Sequence, residues 1–142
     1  RGTVDRTSFA AFLDEARHPV VFNGDIVATE QIGALEKEFP TLAGVMIGRG
    51  LLARPWLAHE YANDTTLSAE QRLDGLRKMH AHIRAAYERI IPGSASLHHK
   101  IRTLWYYAEP AIERKAWKKI TKAGNLGNYL AAVEALTPAH IL

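Results

Sequence analysis

Two short turns carry the residues of this chain that are best suited to bind an anion, Asn23-Gly24-Asp25 and Gly48-Arg49-Gly50. The two glycines of the second turn would let backbone N–H groups approach an anion closely, and Arg49 would offer its guanidinium. A helix that begins near Leu51 would direct its positive end toward the same place. These residue types predict a phosphate site formed by both turns. The alternative is that the first segment is an ordinary turn and the second a flexible one.

Each turn directly follows a short apolar segment that predicts a β-strand, Val20–Phe22 before the first turn and Gly44–Ile47 before the second. Between the strands, Thr29 is a candidate N-cap, helical spacing runs from Glu30 to Glu38, and Pro40 closes the segment. A helical crossover of this length predicts a parallel βαβ unit rather than a hairpin. Both turns would then lie side by side at the carboxyl ends of the strands, where α/β proteins bind ligands.

The second half of the chain predicts four amphipathic helices, at residues 69–90, 96–108, 110–123 and 126–136. Ser68 and Gln71 form a predicted capping box before the first of them, and its apolar residues continue to Ile90. These helices would form a small bundle with its own core. Two shorter helices are predicted earlier, from Thr7 to Ala16 and from Trp56 to Tyr61. We place a domain boundary in the polar connector after residue 62, so that residues 1–62 and 63–142 form separate domains.

Charge is distributed unevenly along the chain, whose formal net charge is +3. Residues 72–122 carry 12 Lys/Arg against 4 Asp/Glu, whereas residues 1–71 carry 6 against 10. On a helical wheel, five cations of the predicted third helix of the bundle occupy one arc with no acid among them. They are Arg114, Lys115, Lys118, Lys119 and Lys122. This arc predicts a surface that binds a polyanion such as RNA, and a merely solvated face is the alternative.

Other functional classes are less well supported by the residues. No apolar run approaches the length of a membrane helix, no secretory signal is evident, and a cytoplasmic location is expected. His80 and His82 lie in surroundings poor in Cys and carboxylates, and His98 and His99 lack the i, i+4 spacing of a helical metal pair, so no metal site is predicted. Trp105 is expected in the core.

The segments VVFNGDI and GVMIGRGLLARPWL, about twenty residues apart, closely resemble the C-terminal end of the barrel in tRNA-dihydrouridine synthases. The resemblance implies a flavoenzyme that reduces uridine to dihydrouridine in tRNA, with FMN at the mouth of a TIM barrel and NADPH as the expected reductant. It implies that Asn23, Gly24, Gly48, Arg49 and Gly50 match positions that hold the FMN phosphate. With Asp25, these residues form the expected cofactor site. The fold would be an α/β remnant of the barrel, one βαβ unit, followed by an all-α helical bundle, so residues 1–62 would be barrel and residues 63–142 the tRNA-binding domain.

The segment HHKIRTLWYY resembles the helix that faces the RNA in that family. Lys100 is therefore an expected tRNA contact, and Arg102, which also lies off the apolar face, joins it with the five cations of the following helix. Tyr106 and Tyr107 could stack on unpaired bases.

Length and the lack of cysteine both indicate a partial enzyme. A complete barrel takes about 200 residues or more, whereas this chain has 142 and begins at Arg1. We expect a C-terminal piece of a longer protein. In the family a cysteine protonates uracil C5 while hydride passes to C6, and the chain has none. We expect that cysteine upstream, a degenerate homologue being the alternative, so the chain should be inactive alone. Because the strands that contact the isoalloxazine would be missing, the chain should also bind FMN weakly.

Two further functions stay open at this point: a non-catalytic RNA-binding module, and another phosphate-binding TIM-barrel enzyme. The two-stranded sheet would expose its edges. It is therefore expected to be partly disordered, to pair with a second copy, or to be shielded by the helices.

Overall fold

The computed structural model describes residues 4–142, and its regular elements alternate helix and strand in the first half and are all helical in the second. The helices are α1 (Arg6–Glu15), α2 (Thr29–Glu38), α3 (Arg49–Ala53), α4 (Leu57–Ala62), α5 (Ala69–Glu88), α6 (Ser94–Tyr107), α7 (Arg114–Thr121) and α8 (Leu126–Glu134). The strands are β1 (Val21–Asn23) and β2 (Gly44–Met46), and two 3-10 turns span Glu109–Ala111 and Pro138–His140. The protein is mostly helical, as predicted.

The predicted βαβ unit is confirmed. β1 and β2 pair in parallel, with Val21 opposite Gly44 and Asn23 opposite Met46, and α2 forms the crossover. Thr29 is not the N-cap: it is the first helical residue, and the alanine before it has no side chain that could cap. The Oε1 of Gln31 instead accepts the backbone N–H groups of residues 27 and 28, at 2.7 and 3.0 Å.

One face of this small sheet is covered and the other is open. Phe22 points into a core cluster built with α1 and α2, where Phe9 packs edge-on against its ring at 4.9 Å between centroids. Val21 and Met46 lie on the opposite face and are 52% and 56% exposed. The helices therefore shield one face of the sheet, and pairing of an exposed strand edge with a second copy stays a prediction.

The capping box at the start of α5 is confirmed: the Ser68 hydroxyl accepts the Gln71 N–H, and the Gln71 Oε1 accepts the Ser68 N–H at 2.9 Å. The helix ends earlier than predicted, at Glu88. Ile90 is 71% exposed, and Ile91 packs against the core instead. The chain turns before Pro92, which cannot continue a helix.

The predicted single helix over residues 110–123 is wrong. Ile112 interrupts it in an extended conformation and forms an antiparallel bridge with Ile141. Glu113 then starts α7, because its carboxylate accepts the N–H groups of Lys115 and Ala116 at 2.8 and 2.9 Å. These two bonds lower the pKa of Glu113.

The two halves of the chain have separate core clusters that meet through a charged contact. The Oε1 of Glu60 accepts two bonds from the guanidinium of Arg72, at 3.0 and 2.8 Å, and the N–H of Leu67 at 2.8 Å. Trp56, before the predicted boundary, packs with the helical cluster, and Arg72 lies over its ring. The division at residue 62 stays a prediction. Within residues 4–142, no helix combines the length and the hydropathy that crossing a membrane requires.

Candidate functional site

The two predicted anion-binding turns lie at the same end of the sheet and line one cavity of about 960 Å³. This follows from the parallel pairing, since β1 and β2 end at the same edge and each runs into its turn. Gly24, in the first turn, is half-buried and is not among the residues that line the cavity. The other predicted cofactor residues line the cavity: Asn23, Asp25, Gly48, Arg49 and Gly50.

An ion pair joins the two turns, because the guanidinium of Arg49 contacts the carboxylate of Asp25. Both side chains are about half exposed, at 51% and 58%, so the pair contributes little to stability, about 0–1 kcal/mol. Asp25 takes the left-handed conformation, with φ of 39°. The turn therefore places its positive φ on the aspartate and not on Gly24.

The glycines of the site have different local roles. A Cβ on Gly50 would lie 2.0 Å from the carbonyl oxygen of Ile26, so only glycine allows the second turn to pack against the first. A Cβ on Gly24 would lie 3.0 Å from the Phe22 ring. At Gly48 nothing lies within 4 Å of a Cβ, which leaves the backbone there open. Close packing, more than access for an anion, requires glycine at position 50.

The start of α3 supplies backbone donors. The first N–H groups of a helix have no acceptor within it, and here they belong to Arg49 and Gly50, while Leu51 already donates to Gly48 at 3.1 Å. Arg54 at the end of α3 donates to the carbonyl of Val27 at 2.9 Å, which fixes α3 against the chain after β1. With five residues, α3 has a small dipole, so the predicted contribution of its positive end is small.

The opposite wall of the cavity comes from α6 and the 3-10 turn after it. Thr103, Tyr106 and Tyr107 line it, with Glu109 and Pro110. The sequence suggested base stacking for the tyrosines but not their place beside the cofactor turns. Thr103, Tyr106 and Tyr107 are spaced i, i+3, i+4 on the side of α6 opposite its apolar face, and this spacing was the signal that they share one surface. Trp105 is fully buried, as predicted.

The predicted RNA-contacting cations lie mostly at the surface. Lys100, Arg114, Lys115, Lys118, Lys119 and Lys122 are exposed, and Arg102 is half-buried. Among residues 4–142, none of these seven forms an ion pair. Lys100 lies over the ring of Tyr87, with its Nζ 5.5 Å from the centroid. On α7, Ala116 and Ile120 are buried opposite the cations, as the helical wheel predicted.

Two histidines of α5 have structural contacts. His80 is buried, and its Nε2 lies 2.7 Å from the Tyr129 hydroxyl. The Nδ1 of His82 lies 2.7 Å from the carbonyl of Lys78. In the described part of the chain, no three His, Asp or Glu side chains lie close enough together to hold a metal ion.

Comparison with known families decides the assignment. The family model described as "Dihydrouridine synthase (Dus)" matches residues 7–137, nearly the whole chain. The chain belongs to the dihydrouridine synthase family. Dihydrouridine synthases are oxidoreductases that act on tRNA, and in general they depend on FMN with NADPH as the reductant. No curated protein matches the chain. The cofactor and tRNA contacts of this dihydrouridine synthase family member remain predictions for the individual residues.

Proposed function

We propose that this chain serves the reduction of uridine to dihydrouridine in tRNA by contributing part of an FMN phosphate site and a tRNA-docking surface. One observation carries the proposal: the two glycine turns and the exposed tyrosines of α6 line a single cavity. That cavity lies at the C-terminal end of α6. The exposed face of α6, which is bounded by Lys100 and Arg102, extends away from the cavity. A cytoplasmic location, where tRNA is found, belongs to the same proposal.

The residues fit an FMN phosphate in one part of the cavity. Its lining carries one cation, Arg49, against two carboxylates, Asp25 and Glu109. A phosphate would therefore be held beside Arg49, by its guanidinium and by the free N–H groups at the start of α3. Because Asp25 already occupies Arg49, the expected affinity is low. Low FMN affinity is expected of a barrel remnant, because further strands are needed to surround the flavin.

When bound, FMN would supply the hydride, after reduction by NADPH. The chain's own part would be positional. Arg49 and the backbone at residues 48–50 would fix the phosphate end, and Gly50 would hold the two turns together. Tyr106 and Tyr107 would cover the other wall of the cavity with apolar ring surface.

The tRNA-docking proposal is supported by the position of the unpaired cations. At about 100° per residue, Arg102 and Lys100 flank the exposed face of α6, and His99, Thr103 and the two tyrosines lie between them. The cations of α7 extend the basic surface beyond Arg102. Unpaired surface cations on this scale are available to displace counterions from an RNA backbone.

The chain has no cysteine and therefore lacks the acid that protonates uracil C5 in the family. We propose that the chain alone does not turn over tRNA. The same fact favours a second candidate, a non-catalytic RNA-binding module in which the cavity has no cofactor. Membership of the family disfavours the third, an unrelated phosphate-binding barrel enzyme.

Titration of unmodified tRNA at several salt concentrations tests the docking surface. The variant is Lys115→Ala, Lys118→Ala and Lys119→Ala together. Its matched control removes the same charge elsewhere, by Lys37→Ala, Lys78→Ala and Arg89→Ala. We expect the slope of log affinity against log salt to fall by about 3 in the variant and by less than about 1 in the control. Equal slopes in both would refute docking through α7.

A comparison of FMN with riboflavin separates the two candidates, because riboflavin lacks the phosphate. A flavin-binding member should bind FMN measurably more tightly than riboflavin, and this difference should vanish in Arg49→Gln. A non-catalytic module should bind tRNA with no preference between the flavins.

A further inference from the structure

A second, smaller cavity, of about 470 Å³, lies between the first half of α6 and the loop that joins α7 to α8. Its polar lining contains basic side chains and no carboxylate: His98, His99 and Arg102 from α6, and Lys122 from the end of α7. The other charged cavities differ, because Glu113 lines the groove beside α7 and Glu88 and Glu134 line the one beside His80. This cavity is thus selectively electropositive.

Two nitrogens of its lining residues are buried without a hydrogen-bond partner, the Nε2 of His98 and the Nε of Arg102. The His98 residue is only 7% exposed. Buried polar atoms are nearly always paired, and an unpaired one costs about 1–3 kcal/mol. A bound molecule with acceptor atoms would satisfy both nitrogens at once.

The loop adds further donors. Asn125 caps α8, its Oδ1 accepting the N–H of Asn128 at 2.8 Å, and its carbonyl accepts that of Tyr129. The N–H groups of Leu126 and Gly127 have no acceptor within the nine-residue helix. They lie at the positive end of α8, and Leu126 itself lines the cavity.

We propose that this cavity, the His98 pocket, binds one phosphate group of the tRNA backbone. The pocket rests on the proposed tRNA-docking function and names a specific contact within it. Arg102 and Lys122 supply charge, and the imidazole of His98 and the start of α8 supply directed donors. A phosphodiester fits this donor set because it carries one negative charge and several acceptor oxygens. Burial and the charges of Arg102 and His99 lower the pKa of His98, which favours a neutral imidazole in the ligand-free pocket.

The position of the pocket suits a backbone contact. Arg102 belongs to its lining and also flanks the exposed face of α6, which leads to the larger cavity. Lys122 connects it to the basic face of α7. An RNA strand that runs along the basic face of α7 toward α6 would pass over the His98 pocket.

Two titrations test the pocket with the full chain. The first follows the side-chain NMR signals of His98 and the Nε–H of Arg102 with inorganic phosphate, against sodium chloride at the same ionic strength. The second uses unmodified tRNA. We expect phosphate to shift both signals and chloride to leave them unchanged. We expect tRNA to shift them at a far lower concentration than phosphate. Shifts with phosphate but not with tRNA would overturn the assignment to RNA, and no shift with either would overturn the pocket.

Affinity for tRNA gives an independent readout. Arg102→Gln should weaken binding by tenfold or more, whereas Arg89→Gln, an exposed arginine outside the pocket, should change it less than twofold. His98→Leu should weaken binding and His98→Gln, which keeps an N–H donor, should restore part of it, with folding checked by circular dichroism. If the wild-type chain binds tRNA and Arg102→Gln weakens that binding no more than Arg89→Gln does, the pocket is refuted and the docking proposal stands. A wild-type chain that binds no tRNA would refute docking itself, and the phosphate titration would still report on the pocket.

Discussion

The hydroxyl of Tyr129 lies 2.7 Å from the Nε2 of His80 inside the helical core. The same hydroxyl accepts the indole N–H of Trp105, also at 2.7 Å. The indole can only donate, so the tyrosine proton points to another acceptor. The Nε2 of His80 at 2.7 Å is closer than the carbonyl of Ile101 at 3.5 Å, which favours an unprotonated Nε2. Burial, with a smaller effect of Arg84, lowers the pKa of His80 from 6.5 to about 4, which agrees with a neutral ring.

This arrangement predicts a stability that falls in mild acid. The unfolded chain takes up a proton at His80 near pH 6.5 and the folded chain only near pH 4, so stability is complete above 6.5 and decreases as the pH falls between these values. From about pH 7.5 to about pH 5, we expect a loss of about 2 kcal/mol in the free energy of unfolding by urea.

His80→Leu should be less stable at neutral pH but should lose less on acidification. His18→Gln, at an exposed position, should keep the wild-type pH dependence. If the unfolding free energy of His80→Leu depends on pH as that of the wild type does, another group, such as His98, causes the loss of stability in acid.

The contact between Glu60 and Arg72 predicts a large cost for a single substitution. Glu60 is buried, and Glu60→Ala would leave the Arg72 guanidinium and the Leu67 N–H without their acceptor. We expect unfolding free energy to fall by about 3 kcal/mol. Asp74→Ala, which breaks the exposed pair with Lys78, should cost less than about 0.5 kcal/mol. Similar losses in urea melts of both variants would contradict the burial argument.

Gly50→Ala should disturb the cofactor turns, because the added Cβ would lie 2.0 Å from the Ile26 carbonyl oxygen. We expect a loss of about 1–3 kcal/mol in the free energy of unfolding, with weaker FMN binding. Gly33→Ala lies inside α2, where a Cβ meets no atom within 4 Å. It should stabilise the protein by about 0.5–1 kcal/mol. A neutral Gly50→Ala in thermal melts would mean that the two turns can separate without cost.

The ion pair between Asp25 and Arg49 predicts opposite effects on FMN affinity. Asp25→Asn frees the guanidinium and removes a negative charge near the proposed phosphate position, so affinity should rise severalfold. Arg49→Gln should reduce it. Flavin fluorescence measures both, and Asp14→Asn, at an exposed position on α1, is the control for added charge. A loss of affinity in Asp25→Asn would mean that the carboxylate chiefly orients the arginine.

Local patterns determined much of this protein. The helical spacing, the capping box at Ser68 and the two apolar segments before glycine turns predicted the βαβ unit and the four following helices, because each depends on contacts within a few residues. The same reasoning placed Trp105 in the core and the α7 cations on one exposed face. It failed where a distant partner competes. Ile141 draws Ile112 into an extended bridge and divides the predicted helix. The error at α2 is local: Thr29 is the first helical residue, and the Gln31 side chain accepts the N–H groups of the two residues before it.

Tertiary structure alone decided which residues share a site. Strand pairing brings Asp25 to Arg49, and packing of α3 on α6 places Tyr106 and Tyr107 across the cavity from them. The His98 pocket joins residues from α6 with the loop before α8, and no spacing in the sequence indicates that meeting. The physical reason is that periodicity reports which side of an element is buried, whereas the partner on that side is set by how the elements pack.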